Sequence, residues 1–180
     1  RLIELNSRLA QVVIGVRRSG KSTLCINAIK DSGKVFGYVN FEDERLSAME
    51  SADLNMLLEC LYQIYGAFEN IFLDEIQNVD GWQHFVNRLL RSGMHVLMTG
   101  SNAKLLSSEL STHMTGRHMA IELYPFSFAE YCEAQQIPLT HGTTKEKGLL
   151  RKAFDDYIHD GGFPELINEH RKETYVQELI

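Results

Sequence analysis

The sequence predicts an α/β fold in which a parallel β-sheet is flanked by helices. Short apolar runs rich in β-branched residues alternate along the chain with segments whose apolar residues recur at helical spacing. This alternation is typical of parallel sheets that are covered on both faces. Hydrophobic residues make up 44% and charged residues 23% of the 180 residues. These are ordinary values for a globular chain that can bury a sizeable core.

The predicted elements follow one another in a regular order. Strands are predicted, where apolar residues run together, at residues 12–14, 35–41, 71–73, 95–98 and 119–123. Helices are predicted, where apolar residues recur every three or four positions, at residues 21–29, 52–65, 82–90, 126–133 and 149–158. Three of these helices are followed closely by a glycine that permits the chain to turn, namely Gly33, Gly66 and Gly93.

One polar stretch, residues 136–147, contains Pro138 and Gly142 and is predicted to be a linker. We therefore expect a core domain over residues 1–135 and a small helical extension over residues 136–180. That extension is expected to be the start of a lid or of a truncated C-terminal region. The Gly161-Gly162 pair within it predicts a tight, rigid corner with a structural role.

Charge and cysteine content narrow the class of protein. Eighteen basic against 24 acidic residues give a formal net charge of −6, which argues against a non-specific binder of nucleic acid or anionic membranes. No apolar run approaches the roughly 20 residues that span a bilayer, so we expect no membrane association. The three cysteines are far apart and form no CxxC pair. They indicate reduced, mostly buried thiols of a cytoplasmic protein.

The segment from Gly15 to Ser22, GVRRSGKS, matches the pattern GxxxxGK[S/T] and lies between a predicted strand and a predicted helix. That context is typical of a phosphate-binding loop, because its glycines let successive main-chain amides point at phosphate oxygens and the helix N-terminus adds positive potential. Lys21 is expected to reach the β- and γ-phosphates, and the Ser22 hydroxyl to ligate Mg²⁺. The predicted nucleotide-binding residues are Gly15, Val16, Arg17, Arg18, Ser19, Gly20, Lys21, Ser22 and Thr23.

Two carboxylates, Asp74 and Glu75, follow the third predicted strand. Ligands bind at the carboxyl ends of the strands in an open parallel sheet. We expect Asp74 to hold Mg²⁺ and Glu75 to be the general base that orients the attacking water. A glutamate here is typical of hydrolytic ATPases of the additional-strand type. The run from Asn102 to Leu105 lacks the aspartate of a guanine-reading NKxD motif, which favours ATP over GTP. The alternative is a pair of solvated turn acids.

The fourth predicted strand ends in small polar residues, Thr99, Ser101 and Asn102. A hydroxyl or amide at this place could hydrogen-bond the γ-phosphate or the attacking water, and Asn102 is the preferred catalytic candidate. Ser101 or Asn102 could equally be the N-cap of a helix that starts at Ala103.

Arg117 follows Gly116 just before the fifth predicted strand. Its guanidinium could supply positive charge to the γ-phosphate, from its own chain or from a neighbouring subunit, because transition-state charge spreads over the phosphoryl oxygens. The alternative is an ordinary surface arginine. The arginines inside the phosphate loop, Arg17 and Arg18, are expected to face solvent.

Taken together, these motifs resemble those of a known family. The phosphate loop GVRRSGKST is accompanied by the runs YVNFEDERL (38–46), LDEIQ (73–77), MTGSNAKLL (98–106), MTGRH (114–118), LYPFSFAEY (123–131) and GGFPE (161–165). Over nearly its whole length the chain is similar to prokaryotic AAA+-type ATPases that join an N-terminal ATP-binding domain to a C-terminal domain of unknown function, often nuclease-like. Met114 is a mild departure, since leucine is common there.

The resemblance implies a P-loop NTPase fold of the additional-strand, AAA+-like type. It also implies that the catalytic Glu75 lies on a strand next to the phosphate-loop strand. A C-terminal domain is expected to be absent from this chain. Rings of subunits occur among AAA+ relatives, so an oligomer is a further expectation by analogy of fold.

We expect ATP binding and Mg²⁺-dependent ATP hydrolysis that drives a conformational switch on an unknown partner or substrate. That partner, a protein or a nucleic acid, could be engaged through the absent domain. One alternative is an ATP-binding regulatory module with slow or partner-dependent hydrolysis. Another is a small-molecule kinase, which would need a second pocket with clustered arginines, whereas the arginines outside the loop are dispersed.

Overall fold

The computed structural model describes residues 3–101, 114–140 and 142–167. The chain forms two compact units. The first comprises Arg1–Gly15 and Lys21–Leu123, and the second comprises Val16–Gly20 and Tyr124–Ile180. The predicted domain division between residues 135 and 136 therefore falls inside the second unit. The centre of the phosphate loop belongs to this second unit, whereas both flanks of the loop belong to the first.

A five-stranded parallel sheet forms the centre of the first unit, which confirms the predicted α/β fold. Its strands are β1 (Ala10–Gly15), β2 (Phe36–Asn40), β3 (Asn70–Asp74), β4 (His95–Ser101) and β5 (His118–Leu123). Their order across the sheet is β2-β3-β4-β1-β5. The register places Asn40 opposite Asp74, and Gly15 opposite Ser101. The carboxyl ends of neighbouring strands thus meet at one edge.

The order of the strands corrects one expectation. The strand that carries Asp74, β3, is not next to the phosphate-loop strand, because β4 lies between them and pairs with both. β4 lies directly beside β3. Every residue of β1 and β3 is buried, so the apolar runs in the sequence could not distinguish neighbouring strands from separated ones.

Helices cover both faces of this sheet. The first unit contains α1 (Lys21–Ser32), α2 (Leu54–Tyr65) and α3 (Trp82–Arg91). Residues of α2 and α3 pack in one core with Val12 and Ile14, whereas residues of α1 pack in another core with Val13. Successive strand residues thus point to opposite faces. Burying each such aliphatic or aromatic side chain contributes about 1.5–3 kcal/mol.

The second unit contains α4 (Phe128–Ala134) and α5 (Thr144–Asp160). The start of α5 corrects the predicted linker, whose last residues are helical. Thr143 and Glu146 form a capping box in which each side chain hydrogen-bonds to the other's backbone amide. That pairing satisfies two amides that a helix N-terminus leaves open, so the helix begins there despite the polar sequence.

A tight corner follows α5, as the Gly161-Gly162 pair predicts. Gly161 has a φ of +82°, and its amide bonds to the carbonyl of Tyr157 at 2.9 Å. A Cβ on Gly162 would lie 2.1 Å from the carbonyl oxygen of Phe126, so only glycine fits. The Phe126 amide donates to the Gly162 carbonyl at 2.7 Å, and the Tyr157 hydroxyl donates to the Phe126 carbonyl at 2.8 Å.

The cysteines are free thiols, with Cys25 and Cys132 buried and Cys60 exposed on α2. Burial raises the pKa of Cys25, and the nearby Asp74 carboxylate raises it further. In the part of the chain that the structure describes, no helix combines the length and the apolar character needed to cross a bilayer.

Candidate functional site

The phosphate loop has the backbone shape that its glycines predict. Gly20 has a φ of +89°, and Arg18 also lies in the left-handed region at +63°. The Ser19 amide donates to the Val16 carbonyl at 3.3 Å. The Ser19 hydroxyl is buried and has no hydrogen-bond partner among the described residues. A non-glycine residue such as Arg18 at positive φ costs on the order of 1–3 kcal/mol and persists where its surroundings impose it.

Lys21 begins α1 at the end of this loop, and its side chain is only 5% exposed. Its ammonium donates to the Gly15 carbonyl at 3.3 Å and lies 3.6 Å from Oε1 of Glu75. A buried ammonium requires such partners, because an isolated charge away from water is very costly. Lys21 thus connects the start of the phosphate loop to the acidic pair.

Asp74 is 3% exposed and is surrounded by hydroxyl groups from three elements. Ser22 Oγ donates to Oδ1 of Asp74 at 2.9 Å, and Thr99 Oγ1 donates to the same oxygen. The Tyr38 hydroxyl donates to Oδ2 at 3.5 Å. A hydroxyl and a carboxylate that converge in this way are hard oxygen donors, the kind of ligand that Mg²⁺ prefers. The residues present therefore fit a magnesium ion.

Glu75 follows Asp74 in a left-handed conformation, with a φ of +55°. Its amide donates to Thr99 Oγ1 at 3.0 Å. Its side chain is 12% exposed, and Oε2 accepts a hydrogen bond from Gln77 Nε2 at 2.5 Å. The two carboxylate oxygens of Glu75 therefore face different partners, Gln77 on one side and Lys21 on the other.

Thr99, near the end of β4, bonds to the acidic pair. It is fully buried and bonds to both Asp74 and Glu75 through its single hydroxyl. Asn102, the preferred sequence candidate, lies outside the described residues, and so does the side chain of Ser101.

Arg117 lies at the amino-terminal end of the strands, opposite to the end where Gly15 leads into the phosphate loop. His118, the residue after it, pairs with Ala10 at the start of β1, whereas Gly15 at the end of β1 pairs with Leu123. With a rise of about 3.3 Å per residue, five residues of β1 separate the two ends of the strand by about 16 Å. The Arg117 guanidinium donates to Asn87 Oδ1 at 2.9 Å. Within one chain the structure does not bring Arg117 to Lys21.

The remaining loop candidates are exposed. Arg17 and Arg18 face solvent, as expected, and so do Val16 and the side chain of Thr23 on α1. Any role of these residues in nucleotide binding would therefore come from the main chain or from long, flexible side chains.

Two residues that bond to the acidic pair were not predicted as site residues, namely Tyr38 and Gln77. The ring of Tyr38 stacks on Phe72 with centroids 5.2 Å apart. Burial raises the pKa of the Tyr38 hydroxyl, as does the neighbouring Asp74 carboxylate, so the hydroxyl stays a hydrogen-bond donor. In the sequence, the signal for Gln77 is its place in the LDEIQ run, because this polar residue closely follows the catalytic candidate Glu75.

Comparison with known proteins identifies the family of this chain. Residues 7–132 match the family model described as AAA domain. An uncharacterized protein of Methanocaldococcus jannaschii is 38% identical over 99% of this chain and 41% of its own length. An uncharacterized protein of Haemophilus influenzae is 36% identical over 94% of this chain and 44% of its own length. The chain therefore spans less than half the length of these curated relatives.

Among solved structures, the S. cerevisiae Hsp104:casein complex in its extended conformation is similar with a TM-score of 0.57. The identity is 15%, and the match covers 91% of this chain and 33% of that one. At this identity the likeness concerns the fold alone, and the fold it shares is a P-loop NTPase fold. The family match covers most of the chain, and the chain belongs to the AAA domain family of P-loop ATPases.

Proposed function

We propose that this chain binds ATP with Mg²⁺ at its phosphate loop and hydrolyses the bond to the γ-phosphate. The observation that carries the proposal is the meeting of an ammonium, a hydroxyl and two carboxylates at the carboxyl edge of the sheet. These groups belong to Lys21, Ser22, Asp74 and Glu75. Membership of the AAA domain family supports the same chemistry.

The loop amides and the N-terminus of α1 would bind the phosphate oxygens. Lys21 already lies at the end of the loop, where it is held by the Gly15 carbonyl and Glu75. We infer that it exchanges these partners for oxygens of the β- and γ-phosphates. The exchange keeps the buried ammonium paired at every stage, and it releases one oxygen of Glu75.

Ser22 and Asp74 would hold the magnesium ion, Ser22 directly and Asp74 through water. When bound, the ion neutralises negative charge on the β- and γ-phosphates. Thr99 and Tyr38 fix the orientation of Asp74 by donating to its two oxygens. Asp74 is thus preorganised to accept hydrogen bonds from the hydration shell of a cation.

Glu75 would orient a water molecule for in-line attack and accept its proton. The bond that forms joins the water oxygen to the γ-phosphorus, and the bond that breaks joins that phosphorus to the bridging oxygen of ADP. The proposed role suits a carboxylate that Gln77 holds by one oxygen while the other becomes available when Lys21 turns to phosphate.

A specific observation favours slow or partner-dependent hydrolysis in an isolated chain. Arg117 lies at the sheet edge opposite to Gly15, so its guanidinium could reach a γ-phosphate only in a neighbouring subunit. We propose that assembly raises the rate by supplying this charge from a neighbouring subunit, and that a protein or nucleic-acid partner acts by promoting assembly. ATP turnover would then drive a conformational switch on that partner.

The decisive experiment compares Glu75→Gln with the wild type. ATP binding, measured calorimetrically with Mg²⁺, should persist, while phosphate release should fall by about 10²–10⁴-fold, the usual contribution of a general base. Glu133→Gln, an exposed acid on α4, is the matched control and should leave both quantities unchanged. Unaltered phosphate release in Glu75→Gln, or no ATP binding by the wild type, would refute the proposal.

A further inference from the structure

The corner after α5 contacts the phosphate loop within the second unit. A guanidinium nitrogen of Arg18 lies 3.8 Å from Oε2 of Glu165. A Cβ placed on Gly20 would lie 3.7 Å from Cγ of Pro164. These contacts join the GGFPE run to the loop, and neither the phosphate-binding pattern nor the acidic pair accounts for them.

The position of Glu165 is fixed by the fold. It lies in a short 3₁₀ turn, Pro164–Ile167, whose Leu166 is buried. The preceding Gly162 is held against Phe126, where only a glycine fits. The backbone that carries Glu165 is therefore anchored on both sides, by Gly162 and by Leu166.

The pair is also weak enough to respond to a ligand. The side chain of Arg18 is 39% exposed and that of Glu165 is 56% exposed. Ion pairs with this exposure are screened by water and salt. A phosphate chain bound in the same loop carries several negative charges, and it would compete with Glu165 for the guanidinium.

We propose that Glu165 sets the affinity of the nucleotide site: by pairing with Arg18, it withdraws positive charge from the phosphate loop and weakens the binding of a nucleoside triphosphate. The inference rests on the proposed function, since it assumes that the loop binds nucleotide. It gives the GGFPE corner a role in tuning nucleotide affinity in addition to its packing role. The effect is larger for a triphosphate than for a diphosphate, because the triphosphate carries more charge.

A double-mutant cycle tests this inference by direct binding measurements. The dissociation constants for Mg²⁺-ATP and Mg²⁺-ADP are measured calorimetrically for wild type, Glu165→Gln, Arg18→Gln and the double variant. We expect Glu165→Gln to tighten ATP binding about two- to fivefold, the range of an exposed ion pair. The same change in the Arg18→Gln background should have less than half of that effect in free energy. At about 1 M salt, where the screening length is about 3 Å, the difference should shrink.

Glu133→Gln removes the same charge from α4 and should leave the affinity unchanged. Thermal unfolding of each variant verifies that the exposed substitutions preserve the fold. An unchanged affinity in Glu165→Gln, or an equal gain with and without Arg18, overturns the inference while the proposed function stands. A wild type that binds no nucleotide overturns both.

Discussion

The side-chain amide of Gln77 holds the carboxylate of Glu75 through a hydrogen bond of 2.5 Å to Oε2. The other carboxylate oxygen, Oε1, lies 3.6 Å from the ammonium of Lys21. If Lys21 turns to a phosphate, Gln77 still restrains the carboxylate. Glu75 then keeps its orientation at the step where it is proposed to position water.

Replacing Gln77 with leucine should therefore lower kcat for ATP hydrolysis by about tenfold. This loss is smaller than the roughly 10²-fold that a misplaced catalytic group can cost in rate. The KM for ATP should change little, because Gln77 does not belong to the phosphate loop. Steady-state phosphate release measures both quantities. Gln63→Leu, on the exposed side of α2, is the matched control. A rise in KM with an unchanged kcat would contradict a positioning role for Gln77.

Asp74→Asn should remove the magnesium dependence of ATP binding. In the wild type we expect the affinity for ATP to fall markedly when Mg²⁺ is replaced by EDTA, because Ser22 would ligate the ion and Asp74 would hold its water shell. The variant should bind ATP about equally weakly with and without the ion. Calorimetric titrations under both conditions measure this difference, with the exposed Asp80→Asn as control. A variant that retains the full magnesium effect would exclude Asp74 as the metal-binding carboxylate.

Thr99→Val should destabilise the protein by about 1–3 kcal/mol. The substitution keeps the shape of the side chain but removes the hydroxyl that bonds to both Asp74 and the Glu75 amide, and buried polar groups left without partners cost that amount. Urea unfolding measures the loss. Thr140→Val, at an exposed position, should change stability by less than about 0.5 kcal/mol. Equal stability of the two variants would show that this hydroxyl is dispensable.

Gly162→Ala and Gly148→Ala should change stability in opposite directions. At Gly162 a methyl group would lie 2.1 Å from the Phe126 carbonyl oxygen, and such overpacking costs at least about 1–3 kcal/mol. At Gly148, inside α5, a Cβ meets nothing within 4 Å, so alanine should stabilise by about 0.5–1 kcal/mol. Thermal unfolding followed by circular dichroism compares the two. Tolerance of alanine at position 162 would contradict the described corner.

Arg117→Ala should abolish any rise of specific ATPase activity with protein concentration while leaving ATP binding intact. The reason is that Arg117 is too far from its own phosphate loop and could act only on a neighbour. Asn87→Ala also removes the hydrogen bond between Arg117 and Asn87, but it keeps the guanidinium. This variant should therefore retain the rise of specific ATPase activity with protein concentration. If Arg117→Ala behaves like the wild type across the concentration range, the guanidinium has no part in hydrolysis.

Much of the fold could be predicted because periodicity is a local property. Apolar runs predict the strands at Val12 and Ile71, and the helical spacing of Trp82 and Phe85 predicts α3. The order of the strands could not be read in this way, because buried strands look alike in sequence. The beginning of α5 cannot be predicted from apolar spacing for a different reason: its signal is the Thr143–Glu146 capping box rather than a run of apolar residues.

The same distinction between local and tertiary information applies to the residues of the candidate site. Lys21, Ser22, Asp74 and Glu75 belong to contiguous motifs, so their residue types and spacing predict a shared location. Tyr38 reaches Asp74 only because β2 pairs with β3 in a register that places Tyr38 opposite Phe72. Such cross-strand contacts depend on tertiary structure, which short motifs do not encode.

The left-handed backbone of Glu75 persists because the groups around this residue hold it in place. A glycine at this position would adopt the observed φ of +55° without steric strain, yet it would delete the proposed base. It would also leave the buried Lys21 ammonium without its carboxylate partner, a loss that opposes any gain from relieving the backbone strain. Backbone strain and side-chain charge are therefore coupled at this position, and neither can be changed without the other.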